Sequence, residues 1–194
     1  MTSSLTADYA CMPSQRLQDG ALSIEAIQPR HIESVRQWRN AQMNVLRQAK
    51  PISPDEQEAY YRENIWPEKS ASKPNNVLLA YLERGDLIGY GGIVHLAWRH
   101  HRGEVSFLLR TDLTHDRDRY ASYFSSFLKL LKRLAFDGLG LERLFTETYA
   151  TRAHHVATLE SVGFRLEGIL KHHVWIEGRP VDSLIHGCLK TYER

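Results

Sequence analysis

Hydrophobic positions recur at two different spacings along this chain, and the changes between them predict the order of its elements. Residues 21–27, ALSIEAI, alternate between apolar and polar and predict a first strand. The segment that follows has Pro29 at a first helical position, which suits the ring of proline. Ile32, Val35 and Trp38 then fall on one helical stripe. A helix is therefore expected directly after the first strand.

A second helix and a run of antiparallel strands are predicted next. Ser53 and Glu56 have the spacing of a capping box, which marks the start of a helix. Two apolar runs within 76–98 flank the turn at 83–86 and predict a hairpin. GEVSFLLR, at 103–110, reads as a third strand.

The second half of the chain continues the mixed pattern. A long helix is expected to begin near Tyr120, because apolar residues follow at helical spacing until Gly138 or Gly140. A strand, a short helix and two strands are then predicted at 142–150, 152–162, 164–176 and 180–189. This order predicts one α/β domain with a mixed sheet, covering residues 21–191. Residues 1–20 are polar and aperiodic and are expected to form a flexible extension.

Composition narrows the class of protein. The chain has 194 residues, which suits one well-packed domain, and a net charge of +2 does not favour a nucleic-acid binder. No apolar run approaches the roughly 20 residues that span a membrane. The N-terminal segment lacks the basic start and apolar core of a secretory signal. A cytoplasmic protein is expected, with no nucleic-acid or membrane partner.

The cysteines and histidines give no pattern of a metal site. Cys11 and Cys188 are far apart in sequence and are expected to be free thiols. The histidines include three adjacent pairs, at 100–101, 154–155 and 172–173. Adjacent residues of a strand point to opposite faces, so such pairs are poor chelates. No metal is expected.

Four short motifs in this order resemble one enzyme family. They are WRN at 38–40, PISPDE at 51–56, ESVGFRLEG at 160–168 and GRPVDSLIHGCLK at 178–190. Together with the element order they resemble the GNAT superfamily of N-acetyltransferases, in the branch of ribosomal-protein N-terminal and amino-sugar acetyltransferases. The resemblance covers about residues 21–191. It implies a single-domain GNAT fold, with a mixed, mostly antiparallel central sheet flanked by helices, acetyl-CoA as the acetyl donor and an amine as acceptor.

The expected phosphate site of the donor departs from the family pattern. The family has Q/R-x-x-G-x-G/A at this turn, whereas LTHDRDRYAS at 113–122 has Asp116 and Arg119 in place of the first residue and the glycine. Only Ala121 fits. Backbone N–H groups that can bind phosphate are present at a helix start in any sequence, and Arg117 and Arg119 add guanidinium groups. The alternative is a capped, solvated helix start without a ligand. The residues expected to contact acetyl-CoA are Phe107, Leu108, Leu109, Arg110, Arg117, Arg119, Tyr120 and Ala121.

The resemblance also implies a catalytic base and an oxyanion donor. Glu104, at the start of the GEVSFLLR strand, is the candidate base for deprotonating the amine. The alternative is a glutamate paired with Arg102 or another arginine. His101 is a second candidate, because an imidazole titrates near pH 6.5. A backbone N–H within 107–110 is the implied oxyanion donor.

The usual general acid is missing. Leu159 occupies the position of the family's tyrosine, and Arg152 replaces an upstream asparagine. Tyr149 and Ser161 are nearby hydroxyls that nothing singles out. Since a thiol titrates near 8.5, a thiolate leaves tolerably well without an acid.

The acceptor is expected to lie between the first two helices and the sheet. Arg39, Arg47, Trp98 and His101 are the candidate substrate contacts, and they suit a nucleotide-linked amino sugar. A protein N-terminal amine is the rival acceptor, although it would favour an acidic groove. A third hypothesis is a non-catalytic binding protein with a degenerate cofactor turn. A homodimer through an exposed sheet edge is consistent with the family.

Overall fold

The computed structural model describes residues 8–193, which form one eight-stranded sheet in the order β1-β2-β3-β4-β5-β6-β8-β7. The strands are β1 Arg16–Asp19, β2 Leu22–Ala26, β3 Val77–Glu83, β4 Asp86–Ala97, β5 Arg102–Leu109, β6 Arg143–Tyr149, β7 Arg165–Ile176 and β8 Arg179–Leu189. Neighbouring strands are antiparallel, except that β5 and β6 run parallel. The predicted mixed, mostly antiparallel sheet is confirmed.

In the described part of the chain four α-helices cover the sheet: α1 Ile32–Ala41, α2 Pro54–Tyr60, α3 Arg117–Lys132 and α4 Ala153–Ser161. Helix α2 begins with the predicted capping box, in which the Ser53 hydroxyl accepts from the Glu56 N–H at 3.1 Å. Helices α2 and α3 each continue into a π-helical turn, Tyr61–Ile65 and Arg133–Gly138. No helix within residues 8–193 is long and apolar enough to cross a membrane.

Strand β5 divides its side chains between two apolar clusters. Leu108 packs with the cluster of α1 and α2, which includes Val35 and Tyr61. Val105 and Leu109 pack into the larger cluster on the opposite face, which contains the buried side chains of α3. Because strand side chains alternate, Glu104 and Ser106 share the α1–α2 face with Leu108. This alternation aims the polar side chains of β5 at one side of the sheet.

Strands β5 and β6 pair only at one end. Their register runs from Arg102 opposite Arg143 to Glu104 opposite Phe145 and then stops, although β5 continues to Leu109 and β6 to Tyr149. Over its whole length β6 remains paired with β8. The two parallel strands therefore diverge beyond Glu104 and leave a wedge in the middle of the sheet.

The predicted flexible extension over residues 1–20 is corrected for residues 8–20. Tyr9 and Met12 are buried in the larger core cluster, and β1 pairs with β2. The Tyr9 hydroxyl also accepts a hydrogen bond from the Leu78 N–H at 3.0 Å. The segment is polar overall, so the sequence pattern did not indicate its two buried side chains, Tyr9 and Met12, or its short edge strand. Residues 1–7 lie outside the described part of the chain.

Candidate active site

The wedge between β5 and β6 contains a cavity of about 190 Å³. Its lining includes Val105, Ser106 and Phe107 of β5, Thr146, Glu147 and Thr148 of β6, and Arg152 and His155 at the start of α4. On the β4 side, the Arg110 N–H donates to the Ile88 carbonyl at 2.8 Å. Since backbone groups alternate in direction along a strand, the N–H groups of Phe107 and Leu109 point away from β4. Phe107 therefore presents a backbone donor to the wedge.

A second cavity, of about 440 Å³, lies between the sheet and helices α1 and α2. Three tyrosines and several polar side chains line it, including Tyr60, Tyr61, Tyr90, Lys50 and Glu56. The two cavities share Arg39, Val94 and Ser106 as lining residues. They thus adjoin at Ser106, on the face of β5 that also carries Glu104.

Glu104 lies at the point where the wedge opens, and both of its carboxylate oxygens have partners. Its side chain is only 10% exposed. Oε1 accepts from the Arg47 guanidinium at 2.7 Å, and Oε2 lies 2.8 Å from Nδ1 of His95. The alternative prediction of an arginine-paired glutamate describes this geometry, although the partner is Arg47. Arg102 instead places its guanidinium over the Phe145 ring.

Arg47 joins two carboxylates across the wedge. It lies 2.7 Å from Glu104 on β5 and 3.3 Å from Glu147 on β6. His173 of β7 approaches Glu147 from the other side, with 3.5 Å between Nε2 and Oε1. Sequence reasoning missed Glu147 and His95, because neither belongs to a motif and both reach the site only through the sheet.

The start of α3 is capped by its own sequence. Asp116 Oδ1 accepts hydrogen bonds from the N–H groups of Asp118 and Arg119, each at 3.0 Å. The helix starts at Arg117, before the predicted Tyr120. Two of the donors that would face a phosphate are therefore already bonded to a carboxylate.

The arginines around this turn differ in orientation. The Arg119 guanidinium donates to the Tyr123 hydroxyl at 3.1 Å and lies over that ring. Arg110 pairs with Asp112 at 2.7 Å. The Arg117 carbonyl lies 2.7 Å from Nε2 of His154. Arg119 and Arg110 thus hold intramolecular partners at the surface of the turn.

A buried polar group, formed by Tyr120 and His155, stands beside the wedge. The Tyr120 hydroxyl lies 2.7 Å from Nδ1 of His155, and Arg152 Nη2 lies 3.2 Å from that hydroxyl. Burial lowers the pKa of His155 well below its ordinary value, with Arg152 adding to the effect, so the imidazole is neutral. Burial raises the pKa of Tyr120, which therefore keeps its proton and donates to His155. Leu159 is fully buried.

The profile of the acetyltransferase (GNAT) domain family matches residues 24–185, most of the chain. The chain belongs to the GNAT acetyltransferase family. The predicted GNAT fold is confirmed, and so is the assignment to an acyltransferase family whose acetyl donor is acetyl-CoA. The finer assignment to the ribosomal-protein and amino-sugar branch is not among these findings.

Individual relatives are distant. The GNAT domain is 28% identical over 115 residues to the uncharacterized N-acetyltransferase YoaA of Bacillus subtilis (strain 168), a match that spans 58% of this chain and 62% of that protein. The alignment therefore covers less than two thirds of this relative.

Solved structures show the same fold. A spermidine N-acetyltransferase from Vibrio cholerae, in complex with CoA and spermine, has a TM-score of 0.77 at 18% identity and covers 91% of this chain and 100% of its own. A dodecameric structure of the Vibrio cholerae enzyme has a TM-score of 0.76 at 17% identity, covering 90% and 97%. A probable acetyltransferase has 0.70 at 19% identity, covering 91% and 97%.

The predicted substrate residues of the GNAT domain separate into two groups. Arg39 lines both cavities and donates to the Tyr90 hydroxyl at 2.7 Å, and Arg47 lines the wedge. Trp98 donates its indole N–H to the Pro74 carbonyl at 2.7 Å and packs against the larger core cluster. His101 lies in the exposed turn before β5, near the Gly140 carbonyl. Neither Trp98 nor His101 lines either of these two cavities.

Proposed function

We propose that this GNAT domain transfers the acetyl group of acetyl-CoA to a primary amine of a small molecule. One observation supports the proposal most strongly: the wedge and the α1–α2 cavity adjoin at Ser106, beside Glu104. A donor lying in the wedge and an amine lying in the α1–α2 cavity would meet at that point.

The wedge suits the thioester end of the donor. The Phe107 N–H is proposed to stabilise the negative charge that develops on the acetyl oxygen, since a preorganised backbone donor in a water-poor site is effective there. The apolar side chains of Phe107, Leu108 and Leu109 support that part of β5 from both faces. Arg152 lines the same wedge and places a positive charge in its wall, which would favour a leaving thiolate.

The start of α3 is proposed as the site for the donor's phosphates, with Arg110, Arg117, Arg119, Tyr120 and Ala121 as its surroundings. The Asp116 carboxylate that caps the helix opposes an anion at this place. Arg117 is the better candidate to contact a phosphate, because Arg119 is held over Tyr123. The proposed phosphate site is consequently weaker than one built from free N–H groups.

A cationic acceptor fits the acidic pair in the wedge. Glu104 and Glu147 approach a single guanidinium, that of Arg47, from two strands. An ammonium group would find the same two carboxylates if Arg47 moved aside. Aliphatic amines, including polyamines such as the spermine bound by the Vibrio cholerae enzyme, therefore lead the acceptor series.

A nucleotide-linked amino sugar is the second candidate. The α1–α2 cavity carries Arg39 and Lys50 with Tyr60, Tyr61 and Tyr90. Guanidinium and ammonium groups bind phosphates, and tyrosine rings suit a base or a sugar face. In this reading Arg39 and Arg47 contact the acceptor, and Glu104 takes part in deprotonating its amine.

An acceptor screen tests the proposed function. The purified protein is incubated with acetyl-CoA and with aliphatic amines, amino-sugar nucleotides and peptides with free N-termini, and acetylated products are identified by mass spectrometry. An acetylated small-molecule amine supports the proposal. Acetylation of peptides alone supports the protein N-terminal alternative. The absence of any product, with acetyl-CoA bound, would favour the non-catalytic alternative.

A homodimer through β7 is also proposed. This strand lies at the sheet edge, and it exposes Leu166, Ile169, Leu170 and Trp175, the last at 72%. Apolar side chains on an open edge favour association with another chain. Light scattering after gel filtration is expected to show a dimer, and Trp175→Ser is expected to weaken it. A monomer at all concentrations would exclude this interface.

A further inference from the structure

We propose that Nε2 of His95 is the group that takes the proton of the acceptor amine. Glu104 orients this imidazole and stabilises its protonated form. This inference rests on the proposed acetyl transfer and specifies its base. Three observations support it: the path of β4, the hydrogen bonds of Glu104 and the position of His95 in the wall of the wedge.

A β-bulge brings His95 to the wedge. In the β4–β5 register Val94 pairs with Glu104 and Ala97 with Arg102, so β4 holds one residue more than β5. His95 adopts a left-handed backbone with φ of 50°. Such a conformation is uncommon for a residue other than glycine, and bulges of this kind redirect side chains.

The burial pattern shows what the bulge changes. Ile93 and Leu96 are both buried in the larger cluster on the α3 face, whereas Val94 packs against the α1–α2 cluster. In a regular strand His95 would share the face of Ile93. Instead, Val94 and His95 both line the wedge, directly beside Glu104. The extra residue therefore adds an imidazole to the site without removing a side chain from the core.

The two nitrogens of this imidazole are in different situations. Nδ1 lies 2.8 Å from Glu104 Oε2, and a carboxylate only accepts, so Nδ1 carries the proton. In the neutral ring Nε2 then has a free lone pair, and no hydrogen bond to it occurs among residues 8–193. The tautomer that the contact with Glu104 favours is therefore the one that can accept a proton at Nε2.

Glu104 itself is less free than His95 to accept the proton while it holds both of its partners. Oε1 is bonded to Arg47 and Oε2 to His95, so each oxygen already has a close partner. The His95 side chain is 67% exposed, whereas that of Glu104 is 10% exposed. An incoming amine therefore has easier access to the imidazole than to the carboxylate.

Charged and titratable groups of both signs surround His95. Those that line the wedge or contact its lining are Arg39, Arg47, Glu104, Glu147, Arg152, His155 and His173. Glu104 is the one within hydrogen-bond distance of the imidazole. A carboxylate at this distance stabilises the imidazolium that forms when Nε2 accepts a proton.

Two protons and two electron pairs move during the proposed acetyl transfer. Nε2 of His95 takes one proton from the acceptor ammonium, and the freed nitrogen lone pair forms the C–N bond to the acetyl carbon. The C–S bond breaks, and its electron pair leaves with the sulfur. A second proton from the nitrogen neutralises that sulfur, and His95 returns its proton to water. The products are the N-acetylated amine and CoA.

The test uses two substitutions that suit the left-handed backbone. Asparagine and glycine tolerate positive φ, so His95→Asn and His95→Gly are expected to fold. His95→Asn offers an amide N–H to Glu104 but has no titratable ring. We expect kcat to fall by about 100-fold to 10,000-fold, the acetyl-CoA Kd to stay within about twofold, and the acidic limb of the pH profile to disappear. Imidazole in solution should partly restore His95→Gly. Unchanged kcat in both variants would overturn the inference.

A second measurement does not depend on an acceptor. Histidine-selective ¹⁵N NMR of the whole chain, assigned with His95→Asn, reports which ring nitrogen carries the proton. In the neutral ring we expect Nδ1–H with an unprotonated Nε2, and loss of this preference in Glu104→Ala. A proton on Nε2 with a bare Nδ1 would overturn the dyad, even if acetyl transfer is demonstrated. The expected tautomer together with failure of every acceptor would count against the proposed function alone.

Discussion

The guanidinium of Arg47 lies 2.7 Å from the carboxylate of Glu104, at the place where β5 and β6 part. The same guanidinium lies 3.3 Å from Glu147 on the opposite strand. One long side chain from the loop after α1 therefore bridges both walls of the wedge. Whether Arg47 competes with the acceptor or binds it separates the two acceptor classes.

Replacing Arg47 distinguishes a cationic from an anionic acceptor. In Arg47→Gln the two carboxylates lose their resident cation, so a cationic amine is expected to bind more tightly, with KM lowered by about threefold to tenfold. Steady-state kinetics with the identified acceptor measure this change, and the acetyl-CoA Kd serves as the control. A KM that rises instead would show that Arg47 contacts an anionic group, as in a nucleotide-linked sugar.

Asp116 is expected to weaken donor binding through its charge. Asparagine is as good an N-cap as aspartate, so Asp116→Asn keeps the helix start and removes a negative charge from the phosphate site. We predict an acetyl-CoA Kd lowered by about threefold or more in calorimetric titrations at low salt. Asp116→Ala, which loses the cap and costs about 1 kcal/mol of stability, is the comparison. An unchanged Kd in Asp116→Asn would place the phosphates elsewhere.

The two arginines at the start of α3 are predicted to differ. Arg119 is held over the Tyr123 ring, and the Tyr123 hydroxyl donates to Glu83 at 2.8 Å. Arg117→Ala is therefore expected to raise the acetyl-CoA Kd by about tenfold, and Arg119→Ala by less than about twofold. Equal effects would mean that Arg119 leaves Tyr123 when the donor binds.

The buried imidazole of His31 is expected to make the protein less stable in acid. It is 4% exposed, and burial lowers its pKa to about 4, with Arg30 and Lys69 adding to the effect. The imidazole of His31 therefore stays neutral in the folded state, whereas in the unfolded chain it takes up a proton below about pH 6.5. The contribution of His31 to the free energy of unfolding is fully present above that pH. It is lost as the pH falls towards 4, by up to about 3 kcal/mol.

His31→Asn isolates this contribution from those of His155 and the carboxylates. Asparagine can still accept the hydrogen bond that the Gln28 N–H donates to Nδ1 at 3.1 Å. Between pH 7.5 and 4.5 the free energy of unfolding should fall by about 2 to 3 kcal/mol less in His31→Asn than in the unsubstituted protein. Urea unfolding at both pH values gives the comparison, and parallel losses would contradict the assignment.

The elements of the fold that follow from local signals were predictable. The capping box at Ser53 depends on residues three apart, and the turn between β3 and β4 depends on one short polar segment. The Tyr9 anchor was not predictable in this way, because its hydroxyl bonds to Leu78, 69 residues along the chain. A polar segment with one buried ring looks like a tail until its distant partner is known.

The candidate site was predictable only where it lies on β5. Glu104 could be identified from its strand, but its partner Arg47 is 57 residues away. His95 escaped notice for a different reason: a regular strand would aim it at the core face, and the single extra residue that turns it towards Glu104 leaves no mark on the hydrophobic pattern. The cap at Asp116 was foreseeable, since aspartate favours that position.

The most direct test of the account is a calorimetric titration of the purified protein with acetyl-CoA, with free CoA for comparison. The central claim is that the wedge between β5 and β6 holds the donor despite the capped, glycine-free turn at the start of α3. Saturable binding of acetyl-CoA at micromolar concentration is the predicted result. No binding up to millimolar concentration would contradict the claim and leave a GNAT fold that does not use this donor.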